Sequence, residues 1–206
     1  GHDNIKFQDC TFDSFGMFGI GSLPNISLSA NDNIQNISIT KCVFRNGGAT
    51  NCTGLNYQGG AVFAKAYKAV FSDNRCDNIV SGITYQQQYK RGSTTVEETA
   101  LLSTANVYNN VKDSLVYTYP IDAANGFTNN CAVNIVGETG TSVEQNYPST
   151  GTPTSLAYSL DSATAVTVTG NQLSSAWNSA GGIVAIPLTT RLSATVTGNS
   201  FKGFGC

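Results

Sequence analysis

The sequence contains little charge and no long hydrophobic run. Only 12% of its 206 residues are Asp, Glu, Lys or Arg, and the formal net charge is −2. A chain with so few basic residues lacks the positive surface that nucleic acids bind, so we expect no nucleic-acid partner. No apolar run approaches the roughly 20 residues that an α-helix needs to cross a bilayer, so we expect no membrane span.

Histidine is nearly absent. His2 is the only one, and none of the six cysteines lies in a Cys-x-x-Cys motif. One histidine cannot complete a zinc site with cysteines so arranged, and it cannot supply the base of a Ser-His-Asp or Cys-His site. We therefore assign no catalytic residue, no metal ligand and no cofactor, and enzymatic activity is the minority interpretation.

The sequence does contain an even number of cysteines together with acceptor sequences for N-linked glycans. The cysteines are Cys10, Cys42, Cys52, Cys76, Cys131 and Cys206, and the acceptor asparagines are Asn25, Asn36 and Asn51. This combination is typical of secreted proteins. We predict a disulfide set, glycosylation of the three asparagines and a location outside the cell or on a cell or virion surface. Buried free thiols are the alternative.

A short pattern recurs along the chain at intervals of 27 to 37 residues. Residues 4–12 read NIKFQDCTF, residues 36–44 read NISITKCVF and residues 165–173 read AVTVTGNQL. Apolar and polar residues alternate within each copy, as in a half-buried β-strand. The central apolar residues of the seven copies are Phe7, Ile39, Phe71, Tyr108, Ile135, Val168 and Val196.

Glycines precede two of these copies, in Gly59-Gly60-Ala61 and in Gly181-Gly182-Ile183, so each repeat holds at least two short strands joined by tight turns. One such unit is too small to fold alone and must stack on its neighbours. We predict an all-β, right-handed parallel β-helix of about seven coils with loop excursions. It forms a single domain over residues 1–206, either whole or a piece of a longer solenoid. An immunoglobulin-like sandwich is the alternative fold.

The repeat also predicts contacts between coils. The third residue after the central position is Cys10, Cys42, Asn74, Asn171 or Asn199. Asparagine tolerates left-handed backbone and can hydrogen-bond the equivalent residue one coil away, so we predict an asparagine ladder. Cys10 and Cys42 are equivalent in adjacent copies and form the first candidate disulfide. Asp9, Lys41 and Asp73 are also equivalent and predict a ladder of alternating charge.

The segment Gly59-Gly60-Ala61-Val62, followed by Phe71-Ser72-Asp73-Asn74, resembles the GGA[ILV]…FxxN repeat of the chlamydial polymorphic outer-membrane proteins. The full motif covers residues 59–74, and FxxN alone recurs at 127–130. Those proteins are surface adhesins whose passenger regions are taken to be right-handed parallel β-helices. The resemblance implies the same fold and an adhesive role, and it carries over no catalytic residue.

For function, the sequence favours a structural or adhesive role, as a surface adhesin or a fibre subunit that binds a surface protein or a glycan. We predict excursions at 84–98 and 139–153 and assign binding to Tyr85, Tyr89 and Tyr147. Open solenoid ends favour end-to-end or homo-oligomeric assembly. The alternative is a carbohydrate-active β-helix, such as a tailspike-type depolymerase or lyase. Threonines at 167, 169, 195 and 197 make an ice-binding face a third interpretation.

Overall fold

The computed structural model describes residues 3–22, 34–48, 60–88, 90, 98–119, 130–143, 156–161, 163–175, 181–186 and 193–203. All the regular elements in these residues are β-strands, and the strands pair in parallel. The all-β class and the parallel β-solenoid are confirmed. The sandwich alternative is wrong, because it needs antiparallel sheets. No helix in the described part of the chain is long and apolar enough to cross a bilayer.

Successive strands fall into three stacks, and one passage through stacks A, B and C is one coil. Stack A consists of β1 (Asn4–Gln8), β4 (Ile34–Thr40), the second half of β6 (Gly60–Ser72), β9 (Glu98–Thr104), β12 (Asn130–Val136), β15 (Ala165–Thr169) and β18 (Ser193–Thr197). Stack B consists of β2 (Thr11–Asp13), β5 (Val43–Arg45), β7 (Arg75–Ile79), β10 (Val107–Val111), β13 (Thr139–Val143), β16 (Gln172–Ser174) and β19 (Ser200–Lys202). Stack C consists of β3 (Phe18–Gly21), the first half of β6, β8 (Ser81–Gln87), β11 (Val116–Tyr119), β14 (Leu156–Asp161) and β17 (Gly181–Ile186). Because β6 belongs to two stacks, C and A form one 12-stranded sheet, and B forms a 7-stranded sheet.

The register of stack A tests the predicted repeat. The first three central residues pair across adjacent strands, as predicted. Phe71 then pairs with Ser103, and Ser103 pairs with Ile135. The fourth central residue is therefore Ser103, and the prediction of Tyr108 is wrong. Tyr108 lies in stack B, and the polar Ser103 hid the true position from a search for alternating apolar residues.

The core lies between the three stacks and is built from their inward side chains. Ile39, Phe44, Phe71, Ile83, Leu101, Val133, Ile135, Tyr158 and Val168 are among the side chains with no exposed surface. Aromatic rings hold the first coils together, because the Phe12 and Phe44 rings stack at 5.0 Å between centroids and Phe71 packs next to Phe44 at 6.2 Å. Full burial of one such side chain contributes about 1.5–3 kcal/mol.

The turn from stack A to stack B places one residue in left-handed backbone in every coil. These residues are Asp9, Lys41, Asp73, Ala105, Gly137, Gly170 and Gly198, with φ between 54° and 68°. Glycine adopts this conformation freely, whereas other residues pay about 1–2 kcal/mol for it. The residue that directly follows this turn residue in each coil occupies what we name the ladder position. The seven ladder residues are Cys10, Cys42, Asn74, Asn106, Glu138, Asn171 and Asn199.

The predicted equivalence of Asp9, Lys41 and Asp73 is confirmed by their shared turn position. The predicted ladder of alternating charge is not found, because Lys41 makes no ion pair with either carboxylate in the described residues. The ion pairs that do form there join Arg45 to Asp13 at 2.9 Å and Arg75 to Asp77 at 2.7 Å, on the outer surface of stack B.

Candidate functional site

A ladder of side-chain hydrogen bonds runs through the ladder positions. Asn74 Oδ1 accepts a bond from the Cys42 N–H at 2.9 Å, and the N and Nδ2 of Asn74 each lie 3.0 Å from Oδ1 of Asn106. Farther along, the N and Nδ2 of Asn171 lie 3.0 and 2.8 Å from Oδ1 of Asn199. The predicted asparagine ladder is confirmed. Its bonds satisfy turn groups that are buried away from water.

Glu138 occupies the ladder position between Asn106 and Asn171. Its backbone N–H donates to Asn171 Oδ1 at 2.8 Å, as an asparagine's N–H does elsewhere in the ladder. Its side chain has no exposed surface. An acidic group in the core is costly unless it is paired or neutral. At this coil the ladder therefore contains an ionisable side chain in place of a neutral amide.

Four side chains surround the Glu138 carboxyl group. Ser103 Oγ donates to Oε1, and Asn106 Nδ2 donates to the same oxygen at 3.0 Å. The Tyr158 hydroxyl lies 3.0 Å from Oε2, and the Tyr108 hydroxyl lies 3.4 Å from Oε1. All four are neutral, and no ion pair to this carboxyl group occurs in the residues that the structure describes.

Burial dominates the electrostatics of this cluster. It raises the pKa of Glu138 above the ordinary glutamate value, although the four donors oppose it. Burial raises the pKa of Tyr108 and of Tyr158 well above the tyrosine value, and the nearby Glu138 raises both further. The pKa of the buried Cys76 thiol is raised in the same way, first by burial and then by Glu138. Each titratable member of the cluster therefore favours its uncharged form.

Sequence reasoning missed both Ser103 and Glu138. They are the positions where the repeat departs from its own pattern, with serine in place of an apolar residue and glutamate in place of asparagine. Counting 32 residues on from Phe71 reaches Ser103, and counting 32 on from Asn106 reaches Glu138. A strict 32-residue register was thus the signal that could have found them, since the spacing of the first three copies is 32.

The structure corrects the prediction that Tyr85 binds a partner. It has no exposed surface, and its hydroxyl donates to the backbone oxygen of Tyr67 at 2.7 Å. The strand β8 continues to Gln87, so Tyr85 belongs to the core side of stack C and not to an excursion. It cannot stack on a ligand there. Tyr89 and Tyr147 lie outside the described residues.

The described cysteines do not form the predicted disulfides in the structure. Cys10, Cys42, Cys76 and Cys131 are free thiols, of which Cys10 is half-buried and the others are buried. Cys10 and Cys42 do occupy equivalent turn positions, but each thiol turns back to the carbonyl oxygen two residues earlier, at 3.3 and 3.4 Å. These four residues form no disulfide in the structure, which supports the alternative of free thiols, and the disulfide set stays a prediction. Cys52 and Cys206 lie outside the described residues.

Of the predicted glycosylation sites, Asn36 is described and exposed. It lies on the outer side of stack A, where its amide donates to the Asp3 carbonyl oxygen at 3.2 Å and to Asn4 Oδ1 at 3.1 Å. The site is accessible at the surface, and its glycosylation stays a prediction. Asn25 and Asn51 lie outside the described residues.

The outward side chains of β9, β12, β15 and β18 form a surface that we name surface A. It consists of Ala100, Leu102, Thr104, Ala132, Asn134, Val136, Ala165, Thr167, Thr169, Ser193, Thr195 and Thr197, all at least partly exposed. None of these twelve is charged, although the exposed Glu98 at the start of β9 lies on the same outward side at their border. Leu102 and Val136 are 38% and 36% exposed. Thr167 pairs with Thr195, and the hydroxyl oxygens of Thr169 and Thr197 are 3.4 Å apart, so the predicted threonine alignment is confirmed.

No family model, curated protein or solved structure matches the chain. Within the described residues, no group of three or more His, Cys, Asp or Glu side chains is placed to hold a metal ion. The described part of the molecule therefore offers two features to consider for function, the buried Glu138 cluster and the exposed surface A.

Proposed function

We propose that the protein is an extracellular β-solenoid with a structural or adhesive role, and that surface A binds a surface protein or a glycan. The observation that carries this proposal is the composition of surface A. Its twelve uncharged side chains on four adjacent strands are small, β-branched or apolar except for the amide of Asn134, and the charged Glu98 lies only at its border. The centre of a protein interface is likewise poor in charged residues.

The geometry of surface A supports a contact role. Neighbouring strands of a sheet lie about 4.8 Å apart, so equivalent side chains form regular rows. Alanine loses no rotamer freedom on binding, and β-branched threonine and valine lose little. Leu102 and Val136 supply the largest exposed apolar groups on it. A partner would thus meet a surface whose side chains are already ordered.

The chlamydial GGA…FxxN resemblance supports the same role. Its FxxN part, Phe71 to Asn74, has a structural explanation, because Phe71 is a core residue and Asn74 is a ladder residue.

An end-to-end or homo-oligomeric assembly also belongs to the proposal. Val196 aligns with the fully buried Val168 yet is 51% exposed, so the end of stack A offers apolar surface to a further coil or a second copy. Rods in negative-stain micrographs would support this assembly, and particles of single-chain length would contradict it.

The experiment that tests surface A measures binding of the purified protein to a glycan array and to intact animal cells. Leu102→Lys and Val136→Lys place a charge on surface A, and we expect each to weaken binding at least tenfold. Val107→Lys is the matched control, because Val107 is 45% exposed on the outer surface of stack B. An equal loss in the control would contradict the assignment of the surface.

The same experiment separates the proposal from its enzymatic alternative. An adhesive protein leaves a bound glycan at its original length, whereas a depolymerase or lyase shortens it. Glycans recovered from the array should therefore keep their chromatographic size. If they become shorter with time, the carbohydrate-active interpretation replaces the adhesive one.

A further inference from the structure

Glu138 joins all three stacks at one level of the solenoid. Its carboxyl group contacts Ser103 of stack A, Tyr108 of stack B and Tyr158 of stack C. Ser103 and Tyr108 belong to the coil before it, and Tyr158 belongs to its own coil. The carboxyl group therefore connects the walls of the solenoid to each other and connects two successive coils. The described hydrogen bonds of the ladder asparagines reach the neighbouring ladder positions and a carbonyl oxygen of stack A in the preceding coil.

The titratable side chains that face this carboxyl group cannot balance a negative charge. They are Cys76 from β7, Tyr108 from β10 and Tyr158 from β14, and each of them is neutral or becomes negative when it loses a proton. The remaining neighbours, Ser103 and Asn106, are neutral. Ionisation of Glu138 would thus put an uncompensated charge in the middle of the core.

We propose that Glu138 is a proton-dependent switch in the solenoid, neutral in the folded core and destabilising to the surrounding coils when it loses its proton. In the neutral form, the carboxyl O–H needs one acceptor, and the hydroxyls of Ser103 and the two tyrosines can accept as well as donate. The contribution of Glu138 to stability is then present in acidic surroundings, and this level of the solenoid loosens as the pH rises.

The direction of the effect follows from linkage. The pKa of Glu138 is higher in the folded protein than in the unfolded chain, because burial disfavours the carboxylate. The folded state then binds more protons between the two pKa values. Its extra stability is complete below the ordinary glutamate pKa and is lost as the pH rises through the folded pKa.

The test compares urea unfolding of the wild-type protein and of Glu138→Gln between pH 4 and pH 9. Glutamine keeps the size and cannot ionise. We expect the ratio of unfolding constants, wild type over variant, to rise by up to about tenfold per pH unit through this window, the limit for one proton. Asp73→Asn is the control, since Asp73 is exposed in a turn, and its unfolding should follow the pH dependence of the wild type.

A second readout reports the proton directly. The infrared difference spectrum of wild type minus Glu138→Gln, recorded from pH 4 upward, should contain the carbonyl stretch of a neutral carboxylic acid that persists above the ordinary glutamate pKa. A carboxylate band that already replaces it at the ordinary glutamate pKa, or a ratio of unfolding constants that is constant or falls with pH, would overturn the proposal. If glutamine prevents folding, Glu138→Asn restores the common ladder residue, and the wild-type acid band should itself disappear at the pH where the core loosens.

Discussion

Ser103 of one coil donates a hydrogen bond to Glu138 of the next coil, and both are residues at which the repeat breaks its own rule. The serine replaces an apolar core residue, and the glutamate replaces a ladder asparagine. Each exception supplies the polar partner that the other needs in the core. The two departures are therefore one feature of the structure.

A double-mutant cycle tests this coupling. Ser103→Val and Glu138→Asn each restore the common residue of the repeat but orphan a polar partner, so each should cost about 1–3 kcal/mol of unfolding free energy. The double variant restores both, and its loss should be smaller than the sum by about 0.5–3 kcal/mol. Urea unfolding at pH 5 measures all four proteins. Additive losses would show that the two residues are independent.

Removing the side chain of a ladder residue should lower the free energy of unfolding. Asn74→Ala removes the side-chain partner of the Cys42 N–H and of the Ile39 carbonyl, whereas Asn106 Oδ1 keeps the backbone N–H of residue 74. Buried polar groups left in this way cost about 1–3 kcal/mol each, so we expect a loss of at least 2 kcal/mol in unfolding free energy. Asn109→Ala, at an exposed asparagine of stack B, should change it by no more than about 0.5 kcal/mol. Comparable losses would mean that the ladder contributes little.

The left-handed turns predict a stabilising substitution. Ala105 has φ of 54°, a conformation in which alanine is strained and glycine is not. Ala105→Gly should raise the melting temperature, with a gain in unfolding free energy of about 1 kcal/mol. Ala100→Gly, five residues earlier within β9, should instead lower it by about 0.5–1 kcal/mol, because glycine weakens a strand interior. The same sign in both variants would contradict the assigned turn.

Gly82 marks a close approach between adjacent strands. A Cβ atom there would lie 2.1 Å from the carbonyl oxygen of Leu115 and 2.9 Å from the Tyr108 ring. Gly82→Ala must therefore push β11 away, and we expect a loss of soluble folded protein or a fall in melting temperature of at least about 5 °C, which corresponds to about 2 kcal/mol. Gly137→Ala meets open space and strains only its own backbone, so its effect should be the milder one.

The free thiols can be checked by labelling with iodoacetamide and peptide mapping. In the native protein Cys10 should be labelled first, because it is the least buried of the four described cysteines. Cys42, Cys76 and Cys131 should be labelled only after unfolding without reductant. Burial raises the pKa of Cys131 to about 12, so it should stay unreactive in the native state at pH 8. Recovery of Cys10 and Cys42 as one linked peptide would confirm the disulfide prediction.

The architecture could be predicted from the sequence because the same pattern of alternating apolar residues and a turn recurs in several copies. Alternation places Ile39 and Phe71 inside, and the ladder asparagines Asn171 and Asn199 follow from their shared position. The coil containing Ser103 escaped this reasoning because its polar centre depends on Glu138, which is 35 residues away in sequence and becomes a partner only through stacking. The 32-residue spacing can place each residue in the repeat, but it does not show that their side chains meet.

The candidate site residues were harder to predict for a different reason. Equivalent positions bring Cys10 and Cys42 near each other, but side-chain rotation decides whether two thiols bond, and here each faces a carbonyl oxygen. Tyr85 looked like a loop residue because polar residues surround it, as in TYQQQYKRG. Strand pairing with Ala64 and Thr118 places it inside.

The asparagine ladder gives the solenoid a chemical direction. At each step, from Cys42 through Asn74 and on to Asn171, the N–H belongs to the earlier coil and the accepting oxygen to the later one. The bond dipoles therefore add along the axis instead of cancelling. The first two ladder positions hold Cys10 and Cys42, whose thiols carry no oxygen, so the first accepting oxygen of the ladder is Asn74 Oδ1. At the other side, the ladder can be continued beyond Asn199 only by a coil that supplies a side-chain oxygen, so its direction restricts which coils can stack there.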